Sequence, residues 1–426
     1  MNQAASWAGL RVNMLTLPTD FNEKRCEMNA VTEESLATIE FRLHWNSDDA
    51  AHEERFYKTV NISRDILPPG MADRVLGKSP GERVEARYPV NESPLPFDPD
   101  DELTVKRNRF CSDDHGPNFG RFYPLGTIKD LPNVFPGNIK PFRLIAMDDT
   151  HITADLNHPL AGRELHLTAV VHESIVKPYD RGGEYSILME TIADGPGMQV
   201  RGNGRPTDFF SDHPFKREDE TGDTLFYQRP RLVNHIDNRA IDTISALYGS
   251  LIKPGMDVLD LMSAWRSHVP VKAGLKSLVG LGMNAEEMAA NPQLTDYMVH
   301  DLNVEPQLPF PDNSFDLVIC TVSLEYLVHP ADVFSGVAGV LRPGGVFILT
   351  FSNRWFPPKV IRVWPLLHEF ERMGLVLEYF MQSGRFEDLK TFSSRGWPRP
   401  VEDKYYPQYA TSDPVYAVWG RTKQNG

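Results

Sequence analysis

Residues able to move a proton, hold a charge or exclude water gather at a few places in the second half of this chain. Asp260-Leu-Met-Ser-Ala-Trp-Arg-Ser-His268, Gly282-Met-Asn284, His300-Asp-Leu-Asn303 and Val322-Ser-Leu-Glu-Tyr-Leu327 each follow a short apolar run. Short apolar runs alternating with helical periods predict a parallel, doubly wound α/β sheet. In such a sheet a ligand lies outside the carboxyl ends of the strands, where strand order reverses. The candidate binding residues are therefore Asp260, Leu261, Met262, Ser263, Gly282, Met283, Asn284, Asp301, Leu302, Val322 and Ser323, with Trp265, His268, Glu325 and Tyr326 as candidate reacting groups. Arg354, after Phe351-Ser-Asn353, is a further candidate, and Phe226 to Asp237 is dense in polar and aromatic groups. A histidine or glutamate at such a place can serve as a general base near neutral pH.

The elements that must hold these residues follow from periodicity. Val233, Ile236, Ala240, Ile244, Leu247 and Leu251 mark one face of an amphipathic helix ending near Lys253-Pro-Gly255. Strands are predicted at Asp257–Leu261, Leu278–Leu281, Tyr297–Val299, Phe315–Thr321 and Val346–Phe351, with helices at Asn284–Met288 and Pro330–Leu341. Leu375–Phe380 and Val415–Trp419 are expected to complete the sheet.

Leu308-Pro-Phe-Pro-Asp-Asn-Ser-Phe-Asp-Leu-Val-Ile319, followed about 30 residues on by Val340-Leu-Arg-Pro-Gly-Gly-Val-Phe347, resembles the class I S-adenosylmethionine-dependent methyltransferases, in particular their UbiE-like, type 11 branch. The likeness runs from about Phe226 to about Arg421. It implies S-adenosylmethionine as cofactor, with the loop after Asp260 backing its methionine part, Asp301 accepting from the adenine amino group and Leu302 packing on the ring. It also implies a segment folded over the site, so that Tyr227, Arg231 and His235 contact the cofactor carboxylate or the acceptor. Two departures stand out. The turn Met262-Ser-Ala-Trp265 has no glycine, and Gly282 stands where the family has an acid for the ribose hydroxyls, with Asn284 the nearest substitute. Trp265 and His268 read equally well as packing and capping residues, and Glu325 and Tyr326 as core.

Methyl transfer needs chiefly a nucleophile held near the sulfonium in a dry pocket. A thiol is partly ionised at neutral pH and needs no strong base, whereas a phenol or amine benefits from one. The aromatic strand ends favour a small or apolar acceptor: a small thiol first, a phenolic or quinone-like ring second.

The first half has another texture. Ala37–Leu43, Arg83–Tyr88, Phe142–Ala146, His151–Asp155 and Glu164–Val171 read as antiparallel strands, with one helix near Met71–Leu76. Ile66-Leu-Pro-Pro-Gly-Met-Ala-Asp-Arg-Val-Leu-Gly77, Pro80-Gly-Glu-Arg-Val84 and Ala154-Asp-Leu-Asn-His-Pro-Leu-Ala-Gly162 are similar to FKBP-type prolyl isomerases of the SlyD-like branch. The resemblance implies an α+β domain over 37–175 with a flap insert at about 88–160, in which Phe41, Ile66, Leu67 and Phe142 line an apolar cup. A connector over 176–225 and the methyltransferase-like domain over 226–426 complete the expected organisation. An isomerase or chaperone with a degenerate methyltransferase half is the rival reading. Cys111 and His115 are spaced as half a metal site, but no metal is expected.

With 44 Lys plus Arg against 58 Asp plus Glu, the formal net charge is −14. An acidic field argues against nucleic acid and anionic membrane as partners. Three cysteines, Cys26, Cys111 and Cys320, make no disulfide framework, and neither a leader nor a membrane span is evident. A cytoplasmic enzyme is expected, its oligomeric state open.

Overall fold

The computed structural model describes residues 29–111, 116–177 and 184–424. Cys26 and His115 lie outside them.

In the first half β1 (Ser35–Asn46) and β2 (Ala50–Asn61) form a long hairpin, with Leu36 opposite Asn61 and Asn46 opposite Ala51. Alternation explains β1: Ala37, Ile39, Phe41, Leu43 and Trp45 all point into one core. A short helix α1 (Ala72–Val75) leads to β3 (Arg83–Tyr88). Next comes a separate antiparallel sheet of β4 (Glu102–Lys106), β5 (Phe122–Pro124), β6 (Pro141–Met147) and β7 (His151–Asp155), in the order β4-β7-β6-β5. The chain then returns as β8 (Leu165–Val176), between β1 and β3. This half is sheet-rich, but the expected apolar cup is not assembled. Phe41 is buried in the core under β1, Phe142 in the separate core of the small sheet, and Ile66 is exposed.

Helix α2 (Leu188–Ala193) packs into the first-half core; the second half contains α3 (Asp223–Tyr227), α4 (Asn238–Leu251), β9 (Asp257–Leu261), β10 (Ser277–Gly282), α5 (Ala285–Ala289), β11 (Asp296–Val299), β12 (Phe315–Thr321), α6 (Pro330–Val340), β13 (Leu341–Phe351), α7 (Glu369–Ser383), β14 (Phe386–Arg395) and β15 (Val415–Thr422). Strands β9 to β13 are parallel, in the order β11-β10-β9-β12-β13, and β15 and β14 follow antiparallel. The order reverses between β9 and β12, which makes the crevice above those strand ends the expected ligand position in this Rossmann-like fold. Every residue of β9 is buried, Asp257 and Asp260 included.

Two expectations fail. Leu375–Phe380 is not a strand but the middle of α7, whose residues from Phe370 to Phe380 are all buried. Its buried charges, Glu371, Arg372 and Glu378, find partners in other segments, so no polar face is left for the sequence to show. His368 and Glu371 cap its start, and Gly384, at φ 63°, closes its end. The second is the acidic-basic run Lys216–Asp223, read as linker. It folds into a buried charge cluster: Arg217 donates to both oxygens of Asp223 (2.8 and 2.7 Å), and Lys359 reaches Asp219 and Asp223 at 3.1 and 3.2 Å.

The two halves share one sheet. Strand β14 pairs in parallel with β2, from Leu389 opposite Ala50 to Arg395 opposite Phe56, so the large sheet runs unbroken from β11 to β3. That seam explains why β2 is too polar to read as a strand. Its buried His52 and Glu54 bond Thr391 and Ser393 of β14. Among the described residues, no helix is long and apolar enough to cross a membrane.

Candidate functional site

Strand β9 delivers Asp260 to the crevice, buried and accepting a hydrogen bond from Ser263 Oγ at 2.6 Å. Burial raises its carboxyl to about 6. The turn beyond it has no glycine, and Met262 takes the left-handed conformation itself at φ 57°; Val322, at the end of β12, does so at φ 42°. That conformation is rare for a β-branched residue, and such strain gathers at functional sites. The chain then crosses the end of β10, where the Ser263 amide donates to Leu281 O at 2.8 Å. A Cβ at Gly282 would lie 2.2 Å from Ser263 O. No acidic side chain can stand there, which accounts for the second departure.

A segment over 223–236 covers the crevice. Trp265 Nε1 donates to Val233 O at 3.0 Å, and Asn284 Nδ2 to Tyr227 O and Gln228 O at 2.9 and 3.3 Å. The Arg231 amide donates to Glu287 Oε1 at 2.6 Å. The Arg231 guanidinium lies over the rings of Phe226, Phe356 and Tyr227 at 4.6, 5.2 and 5.7 Å. His235 meets Phe356 edge to face, and Tyr326 stacks on Phe356 and accepts from its amide at 2.8 Å. Burial pushes the Tyr227 and Tyr326 phenols up and the His235 imidazole down.

The cleft so formed encloses ≈ 1220 Å³ of empty space, part of it open to solvent. Its walls bring together Tyr227, Arg231, His235, Asp260, Met262, Ser263, Trp265, His268, Gly282, Met283, Asn284, Asp301, Leu302, Val322, Ser323 and Tyr326. His268 is held at φ 58° with a buried Nδ1 that has no hydrogen-bond partner among the described residues, and burial lowers its pKa to about 4. Asn284 is on the wall, but its amide is used up: besides its two bonds to the covering segment, Oδ1 accepts from the amides of Glu286 and Glu287.

Three expected residues are elsewhere. Leu261 is fully buried in the sheet core. In the tight helical turn Leu324–Tyr326 successive side chains diverge by about 120°. Tyr326 therefore faces the cleft while Glu325 turns into the core, where burial raises it to about 8 and leaves Oε2 without a partner. Arg354 is not on the cleft wall but pairs with Asp413 at 2.9 Å, beside Arg399.

The same walls hold groups that strand-end reasoning passed over: Asp223, Glu287, Asn303 and Phe356. Asn303 donates to Asp223 at 2.8 Å and to Tyr326 O at 2.9 Å, tying the start of the covering segment to the strand ends. Glu287 had a readable signal, one helical turn after Asn284; Phe356 had none.

A methyltransferase-domain family of type 11 matches residues 271–349. The chain is 30% identical over 120 residues to the ubiquinone/menaquinone biosynthesis C-methyltransferase UbiE of Laribacter hongkongensis, covering 26% of this chain and 49% of that protein. It is 25% identical over 113 residues to a malonyl-[acyl-carrier protein] O-methyltransferase of a Marinomonas species, covering 26% and 41%. The chain thus spans about half the length, or less, of these curated relatives. An S-adenosylmethionine-dependent methyltransferase of Mesorhizobium loti, of solved structure, is 18% identical over 41% of this chain and 96% of its own, with a TM-score of 0.28.

Proposed function

We propose that this protein is an S-adenosylmethionine-dependent methyltransferase acting on a small molecule. The observation that carries the reading is the convergence on one cleft, above the strand-order reversal, of Asp260, Asp301, Leu302 and the covering aromatics.

The donor set suits the cofactor. Asp301 spends Oδ1 on the Asn303 amide at 2.9 Å, and its other oxygen takes no hydrogen bond from a described residue. It would accept from the adenine amino group, with Leu302 against the ring. Arg231 and the strand-end loops at Met262–Ser263 and Val322–Ser323 would hold the amino-acid end. When bound, the cofactor supplies an electrophilic methyl group on a cationic sulfur. Trp265, Tyr227, Tyr326 and Phe356 exclude water and orient the nucleophile. His268 lines the cleft with its Nδ1 buried, but burial lowers its pKa to about 4 and makes it a weak base, which suits an acceptor that demands little of one.

A small thiol is the preferred acceptor, since it demands least of the base. A phenolic or quinone-like ring is the second reading, favoured by the stacked Tyr326 and Phe356 and by the quinone-pathway relatives. We read the first half as an FKBP-like module that supports the site without isomerising proline bonds, and the protein as cytoplasmic.

The test is direct. S-adenosylmethionine and S-adenosylhomocysteine should raise the melting temperature, since a ligand at about 100 times its Kd adds ~2.7 kcal/mol to the native state. Methyl-labelled cofactor should then transfer label to members of a panel of small thiols, phenols and amines, sorted by volatility and size. Absence of both thermal shift and binding heat overturns the assignment, and label in polypeptide alone overturns the small acceptor.

A further inference from the structure

Two carboxylates on the cleft wall have unfinished bonding, Asp301, set against the adenine edge in the reading above, and Glu287. Asp260 is engaged by Ser263, and Asp223 by Arg217, Lys359 and Asn303. Glu287 spends Oε1 on the Arg231 amide at 2.6 Å, while Oε2 takes no hydrogen bond from a described residue. The side chain is half-buried on the wall, five residues beyond the place where Ser263 O leaves no room for a Cβ at Gly282. Asn284 cannot fill that gap, because its amide is already saturated. A carboxylate with one free oxygen at the rim of a nucleoside cleft is suited to a vicinal diol, which offers two hydroxyl donors side by side.

Resting on the methyltransferase reading, we infer that Glu287 binds the ribose hydroxyls of the cofactor with one oxygen while its other oxygen holds the Arg231 amide, so that cofactor binding and closure of the 227–236 segment use the same carboxylate. The arrangement makes the covering segment a sensor of the ribose. A nucleoside that orients Glu287 also fixes the residue from which the Arg231 side chain reaches over Phe226, Tyr227 and Phe356. Removing the charge should then loosen both the nucleoside and the segment.

The experiment is calorimetric titration of the full chain with S-adenosylhomocysteine and with its 2′,3′-dideoxy analogue, on the native protein, Glu287→Gln and the exposed-neighbour control Glu286→Gln. The expected loss for Glu287→Gln is about 10- to 100-fold in Kd for S-adenosylhomocysteine, the range of a charge-assisted bond, and little for the dideoxy analogue. The control should match the native protein. A parallel readout is tryptic cleavage after Arg231, which saturating S-adenosylhomocysteine should suppress in the native protein and not in Glu287→Gln. Equal affinities of native protein and Glu287→Gln, or an equal loss with both ligands, would overturn this inference and leave the methyltransferase reading standing. No binding of either ligand to the native protein would overturn both.

Discussion

The seam between the two halves and the cleft above β9 both bury charge, and they treat it in opposite ways. At the seam the buried carboxylates of Glu54, Glu371 and Glu378 are all bonded. Arg121 Nε meets Glu371 at 3.0 Å, and the same carboxylate oxygen accepts the Phe122 amide at 2.9 Å. Arg201 grips Glu378 with two bonds of 2.7 Å. Gln199 donates to Glu54 at 2.8 Å, and Arg395 donates to Asp194 O and Ile192 O. In the cleft, by contrast, His268 Nδ1 is buried with no partner among the described residues, and Glu287 and Asp301 each keep an oxygen that no described residue bonds. A saturated network fixes two bodies together, and an unsaturated one is costly unless a ligand completes it. Among the described residues, unpartnered buried atoms also occur in the scaffold, at Glu325 Oε2, Arg372 Nη1 and Arg395 Nε, so an open acceptor on the cleft wall, rather than incomplete bonding by itself, marks a place for a ligand.

The seam gives the most forceful way to break this comparison. Arg121→Ala leaves Glu371 buried without its cation, and the cost should be about 3–5 kcal/mol in chemical denaturation. A loss below about 1 kcal/mol would mean the seam is not a locked network. Next in size is the pH dependence carried by Glu325, which belongs to neither group. Its native pKa is raised from 4.5 to about 8, so the folded state keeps a proton that the unfolded chain releases. Its contribution is complete below about pH 4.5 and falls as pH rises toward 8, by up to about 1.4 kcal/mol per pH unit. Glu325→Gln should flatten the stability profile between pH 5 and pH 8; an unchanged slope would place the titration elsewhere.

Smaller effects sharpen the cleft side. Asp301→Asn replaces a free acceptor by an amide able to present the wrong end, and should weaken S-adenosylhomocysteine by about tenfold with folding stability kept. A variant that binds as tightly as the native protein removes Asp301 from the adenine edge. Smallest is Trp265→Phe, which deletes one hydrogen bond to Val233 O, about 1 kcal/mol, and should speed cleavage after Arg231 roughly fivefold in the free protein. No change would show that the covering segment is held by Asn284 and Glu287 alone.

The parallel strands were legible because a strand buried on both faces has a continuous apolar run, as Phe315 to Thr321 does, and turn residues frame it. The residues just beyond those runs mostly reached the cleft. Arg354 did not, because its guanidinium found Asp413 from a segment about 60 residues away. Glu325 and Tyr326 are neighbours sent in opposite directions by a tight turn that no periodicity announces. Strands β2 and β14 hid for a shared reason: each owes its buried polar side chains to the other.

Local order alone therefore determined the strand-turn punctuation of the second half, the ends at which a ligand would sit and the acids and aromatics available there. Apolar periodicity and turn chemistry act over a few residues and are written in them. Only tertiary structure decided that the two halves share a sheet, that Gly282 has no room for an acid and that Glu287 stands open on the wall. Those facts depend on which distant chain arrives at a given atom, and a buried polar group's role is set by the partner it meets or lacks.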